Sequence, residues 1–158
     1  MKIFFLIIVL ISSLITSAQK ERDTVMSSCP VFITDSVSSN NFFLQHQPAT
    51  VKVYRAKGDL TIAIEQRDQF FTILFGVKNL ENKKYKISSR PGSKKEILAK
   101  YSFKSGDQVS YVNMTSGTVE TNYNKQTKLW SIKLNGLLAN FVGQTVTYFK
   151  VKADLVIP

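Results

Sequence analysis

From Thr50 onward, apolar and polar residues alternate in short runs separated by turn residues. Val51 and Val53 alternate with Lys52 and Tyr54, Lys57-Gly58-Asp59 interrupts, and Leu60, Ile62 and Ile64 then alternate with Thr61, Ala63 and Glu65. A two-residue period places one set of side chains on one face of a strand, so this spacing predicts a hairpin. Phe70 to Val77 is apolar almost throughout, which predicts a strand covered on both faces. A short buried helix is the alternative there, but the β-branched and aromatic content favours strand. Tyr85 and Ile87 alternate with lysines, and 94–103 begins like a helical turn and ends like a strand. Between Thr118 and Leu138, two alternating runs flank the polar turn Asn124-Lys125-Gln126-Thr127. In the second run Trp130, Ile132 and Leu134 fall on one side. The following Asn135-Gly136 has the composition of a type I′ turn, which predicts a three-strand meander around the only tryptophan. In the last run Val146 and Tyr148 share one phase and Phe149, Val151, Ala153, Leu155 and Ile157 the other, which predicts a β-bulge at the slip.

The upstream part is less regular. Gln19 to Ser28 is polar and without periodicity and reads as a disordered lead over 19–30; Val31-Phe32-Ile33 is a short strand candidate. Asp35 to Asn41 is loop chemistry, and Phe42-Phe43-Leu44 reads as a brief edge segment before Pro48. With roughly ten strand signals at turn spacings of about 8 to 12 residues, the fold class is all-β. The expectation is a single antiparallel β-sandwich or flattened β-barrel of about 8–10 short strands over 31–158, with little or no helix.

The first eighteen residues stand apart. Met1-Lys2, an unbroken apolar run from Ile3 to Ile11 and small residues ending at Ala18 read as a secretory signal peptide, cleaved before Gln19. Nine apolar residues rise about 14 Å as a helix, short of the roughly 30 Å hydrocarbon core, so a membrane span is disfavoured. The expected destination is periplasmic or extracellular, with a mature protein that does not span a membrane. The one cysteine, Cys29, lies too far beyond the apolar run to carry a lipid and leaves no internal disulfide.

The formal net charge is +10. Of the 21 basic residues 17 are lysine, whereas bidentate phosphate recognition favours arginine, so no nucleic-acid partner is expected. Between Lys78 and Lys104, nine positive residues face only Glu81 and Glu96. Lys83, Lys84, Lys86, Arg90, Lys94 and Lys95 are the candidate anion-binding patch, for an anionic glycan, polysaccharide or lipid surface. The same residues also suit a solvated edge that resists aggregation.

Candidate chemistry is sparse. His46 has no second histidine with which to share a metal, so no metal site and no cofactor are predicted. Cys29 beside the polar lead lacks a positioned base, and the carboxylates sit mainly in turns or on the polar phase of strands. The expectation is a protein that is not an enzyme and acts as a binding or interaction module. The alternatives are a lipocalin-like carrier of a small apolar ligand, suggested by 11 Phe and 6 Tyr, and a hydrolase.

One resemblance adds to this. The apolar run Phe70 to Val77, Tyr85 after a turn, Ala99-Lys100-Tyr101, Ser116-Gly117-Thr118-Val119, Leu134-Asn135-Gly136-Leu137 and the paired ending Thr145 to Ile157 follow one another in order. Over about residues 50–158 the chain resembles small bacterial secreted or lipid-anchored all-β domains of unknown function. The resemblance implies the fold and export and carries no activity.

Overall fold

The structure, a computed structural model, describes residues 22–35, 43, 47–56, 58–92, 96–142 and 144–158. The signal-like segment, His46, Lys94, Lys95 and two members of the Phe42-Phe43-Leu44 segment lie outside the described residues. Among the described residues there are ten strands: β1 (Arg22–Met26), β2 (Val31–Asp35), β3 (Ala49–Ala56), β4 (Asp59–Gln66) and β5 (Gln69–Phe75) in the first half. The second half holds β6 (Lys83–Ser88), β7 (Glu96–Ser105), β8 (Gln108–Asn124), β9 (Leu129–Val142) and β10 (Thr145–Ile157). They form one sheet in the order β1-β3-β4-β5-β7-β6-β8-β9-β10-β2.

The sheet curls because its two terminal strands are almost joined in sequence. β1 pairs with β3 at one end of the sheet and β2 with β10 at the other, and only Ser27 to Pro30 separates them. Five Cα steps reach at most about 17 Å, so the two ends must approach each other. The Pro30 carbonyl accepts from the Asp154 N–H at 3.1 Å, which fixes the crossing to β10. The concave face then becomes the core. Ile62 and Ile64, Phe71, Ile73 and Phe75, and Ile132 and Leu134 are all essentially inaccessible to solvent. Tyr85 meets Phe75 edge-on with ring centroids 5.2 Å apart, a favoured aromatic arrangement.

Alternation predicted most of these strands, and four departures follow from the packing. First, Asn135-Gly136 is no turn. β9 runs unbroken from Leu129 to Val142, and Gly136 lies directly opposite Gly117 of β8. Gly117 has φ +147°, and a methyl group there would meet Asn135 O at 2.4 Å and Gly136 Cα at 2.7 Å. Two glycines are needed because the backbones touch. Second, β10 has no bulge: its ladder with β9 is continuous from Thr145 to Ile157. Val146 and Tyr148 are outward-facing apolar residues, and the irregularity lies in β8, between Met114 and Ser116. Third, part of the polar lead is β1, an edge strand held by main-chain pairing, with Asp23 opposite Lys52; such pairing leaves little trace in side-chain periodicity. Fourth, β5 is fully buried only on its concave face, since Phe70, Thr72 and Leu74 are half-buried on the convex one. One pairing, β6 with β7, is parallel and spans Lys86–Ile87.

Candidate functional site

The β8 irregularity shapes the site. At one end of the sheet sit the two-residue turns of the β4–β5, β7–β8 and β9–β10 hairpins. There the first half of β8 pairs with β7 through Lys100↔Asn113 to Ser105↔Gln108. The ladder between β8 and β9 begins only at Met114↔Leu138. Beyond it, among the described residues, no ladder joins 108–112 to 140–142. The β7–β8 and β9–β10 hairpins therefore part like the arms of a V.

Main-chain direction along each arm follows from the hairpin register. A two-residue hairpin closes on a hydrogen-bonded pair, after which pairs alternate. Ser110 and Val112 thus bond to β7, while Val109 and Tyr111 direct N–H and C=O away from it. The Lys104 N–H confirms this phase: it donates to Asp68 O at 2.8 Å, on the side away from Val109. The same alternation from Val142↔Thr145 turns the main chain of Phe141 into the gap.

Under the V lies a pocket of about 270 Å³, lined by Ile33, Tyr101, Phe103, Val112, Leu138, Asn140 and Phe149. These are concave-face side chains of β2, β7, β8, β9 and β10, and apolar groups dominate. Tyr101 is anchored by its hydroxyl, 3.1 Å from Gln69 Oε1, and by Phe43, whose ring meets it edge-on at 5.8 Å. Burial pushes the Tyr101 phenol above its usual pKa, so the ring stays neutral. Nine of the eleven exposed large apolar side chains among the described residues belong to these two hairpins, seven of them in the parted ends over 103–111 and 137–148. Tyr111 and Phe141, on opposite arms, are 64% and 69% exposed. Lys100 Nζ stands 5.7 Å from the centre of the Tyr111 ring.

The candidate anion-binding residues are distributed differently. Lys84 and Lys86 are exposed on the convex face of β6, and Lys84 lies opposite Glu120, which lies opposite Lys133. Opposite charges alternate across that row, which is the favourable cross-strand arrangement. Lys83 has the concave phase of Tyr85, with its ammonium 4.8 Å from the centre of that ring. It donates to Glu81 at 2.7 Å, and this bond raises the lysine pKa and lowers that of the carboxylate. Arg90 is exposed in the loop after β6, where its N–H donates to Ser88 Oγ at 3.3 Å. Cys29 is buried, and burial pushes its thiol pKa up, away from the reactive thiolate.

A second depression, of about 670 Å³, lies on the convex face between Asp59, Thr61, Leu74, Pro91, Glu96 and Leu98. It is shallow, and the Thr61 hydroxyl facing that side is buried without a hydrogen-bond partner. Among the described residues, no group of three histidine, cysteine or carboxylate side chains could hold a metal. The pocket was not visible in the sequence because it needs the strand order. Its trace was the Met114-Thr115-Ser116 break in alternation, together with apolar residues on both phases of 103–112 and 137–149. Comparison of the chain with protein-family profiles, curated proteins and solved structures gave no match.

Proposed function

We propose that this protein is an exported, non-catalytic binding module whose ligand places an apolar group in the pocket between the parted hairpins. The observation that carries this reading is the pocket itself: a water-accessible hollow with apolar walls where β8 and β9 part. An aliphatic cavity of about 150 Å³ takes up benzene. About 270 Å³ therefore has room for one larger ring or a branched alkyl group. It falls just below the roughly 300–1,000 Å³ of sites that enclose a whole small molecule. That size favours capture of a protruding group over the carrier alternative. The lining holds only two residues with polar side chains, Asn140 and Tyr101, which suits orientation of a ligand better than bond cleavage. The apolar run behind Lys2 supports export.

The test is methyl NMR with small apolar fragments such as toluene and isopentanol. Shifts concentrated at Ile33, Val112 and Leu138, and removed by Leu138→Ala combined with Val112→Ala, are expected. Saturating fragment without movement of those methyl signals refutes the reading. Anionic-surface binding is the second reading, favoured by Lys84 and Lys86 standing exposed side by side on one strand face. Heparin affinity that falls on Lys84→Ser with Lys86→Ser supports it, and unchanged retention removes it.

A further inference from the structure

The geometry points to an extended, acidic peptide segment as the occupant of the gap, added as a strand to the open edge of β8 with one side chain seated in the pocket. This inference rests on the pocket-binding reading above and assigns the class of partner.

Three features converge on a strand and not on a lipid or a free small molecule. Val109 and Tyr111 direct main-chain donors and acceptors into the gap, where no described strand meets them. Edges of this kind bind extended chains through the main chain, while pockets for alternate side chains add selectivity. The pocket is the size of one large side chain and lies on the concave side of that edge. On the convex side the flanking cations are Lys104 beside Val109, Lys100 beside Asn113 and Lys150 beside Leu137. The acids at this end are Asp107, in the β7–β8 turn, and Asp68, whose carbonyl accepts from the Lys104 N–H. Successive side chains of a strand point to opposite faces. A partner strand alternating apolar and acidic residues would therefore send its apolar set toward Tyr101 and Leu138 and its carboxylates toward the lysines. The overall charge of +10 steers an acidic partner to the same surface.

The experiment uses the full chain and a fluorescein-labelled heptapeptide, Glu-Leu-Glu-Phe-Glu-Val-Glu, read by fluorescence anisotropy. Decanoate and vesicles of equal parts phosphatidylcholine and phosphatidylglycerol form parallel arms. Tyr111→Pro removes one N–H that faces the gap and leaves the β7–β8 hydrogen bonds intact; Val109→Pro does the same one pair nearer the turn. Trp130, in the part of β9 remote from this end, reports whether each variant is folded. Peptide affinity is expected to drop about tenfold or more in either folded proline variant, the loss of one to two main-chain hydrogen bonds. It is expected to drop less than threefold in Tyr111→Phe, and severalfold in the parent between 0.05 and 0.5 M salt. Equal affinity in a folded proline variant overturns the proposal. So does uptake of vesicles or decanoate in place of peptide. Absence of peptide binding while toluene still shifts the Leu138 methyls overturns this inference and leaves the pocket-binding reading standing.

Discussion

Gly117→Ala is the substitution most diagnostic of the architecture. The parent backbone at this position has φ +147°, a conformation that side chains with a Cβ rarely adopt, and the new methyl would lie 2.4 Å from Asn135 O and 2.7 Å from Gly136 Cα. The strained dihedral costs about 1–3 kcal/mol. Separating two packed strands adds about 1–3 kcal/mol, and the stiffer unfolded chain offsets about 0.4–1 kcal/mol of the loss. The net expected loss is about 2–5 kcal/mol. At about 2–4 °C per kcal/mol for a chain of this size, the melting temperature falls by roughly 5–15 °C. Gly136→Ala meets Met114 Cε and Ser116 O but carries no left-handed dihedral, and is expected to cost less, about 1–3 kcal/mol. Because either methyl forces the same two backbones apart, the double variant should lose less than the sum, with a coupling of about 0.5–3 kcal/mol. Urea denaturation of the four proteins, with a common m-value, measures the cycle. If Asn135-Gly136 were instead a hairpin turn, Gly117→Ala would shift the midpoint little and the two changes would add. That result would refute the paired-glycine reading.

Three further outcomes are expected. Thr61→Val should raise stability by about 1 kcal/mol, because it removes a buried hydroxyl that has no partner; a loss of that size would show that the hydroxyl is satisfied. Thr121→Val should cost about 1–2 kcal/mol in urea denaturation, since Thr121 Oγ1 lies 2.7 Å from Glu81 O and 3.1 Å from Lys83 O and is fully buried. Stability should decline as pH rises past the unfolded thiol value of about 8.5, because burial raises the pKa of both Cys29 and Tyr101. The unfolded chain then releases protons that the folded chain retains, so the contribution is complete below that pH and lost above it. Cys29→Ser with an unchanged alkaline limb would assign the decline to Tyr101 or to other groups.

Side-chain alternation carried most of the fold because one face of the sheet is dry. Leu60, Ile62 and Ile64, or Ile132 and Leu134 beside the half-buried Trp130, have a single arrangement that turns them to the core. It misled where glycine served close approach instead of a turn, at Gly136, and where apolar residues stay outside, at Val146 and Tyr148. Both exceptions belong to the long β8–β9–β10 stretch that holds the candidate site. The insertion of β6 between the upper part of β8 and the parallel start of β7 leaves no local signature, so neither the parting of the hairpins nor the pocket could be derived by reading along the chain. The basic cluster was visible as a count. Its arrangement depended on register, which set Lys84 against Glu120 and turned Lys83 toward Glu81.

The parting of the two hairpins is tested most directly by amide hydrogen exchange, resolved by NMR, across Val109 to Val112 and Asn140 to Phe141. Fast exchange at Val109, Tyr111 and Phe141, alternating with protection at Ser110, Val112 and Asn140, is the predicted pattern. Uniform protection along both segments would mean that β8 and β9 stay paired to their ends, and that no edge or pocket is open there.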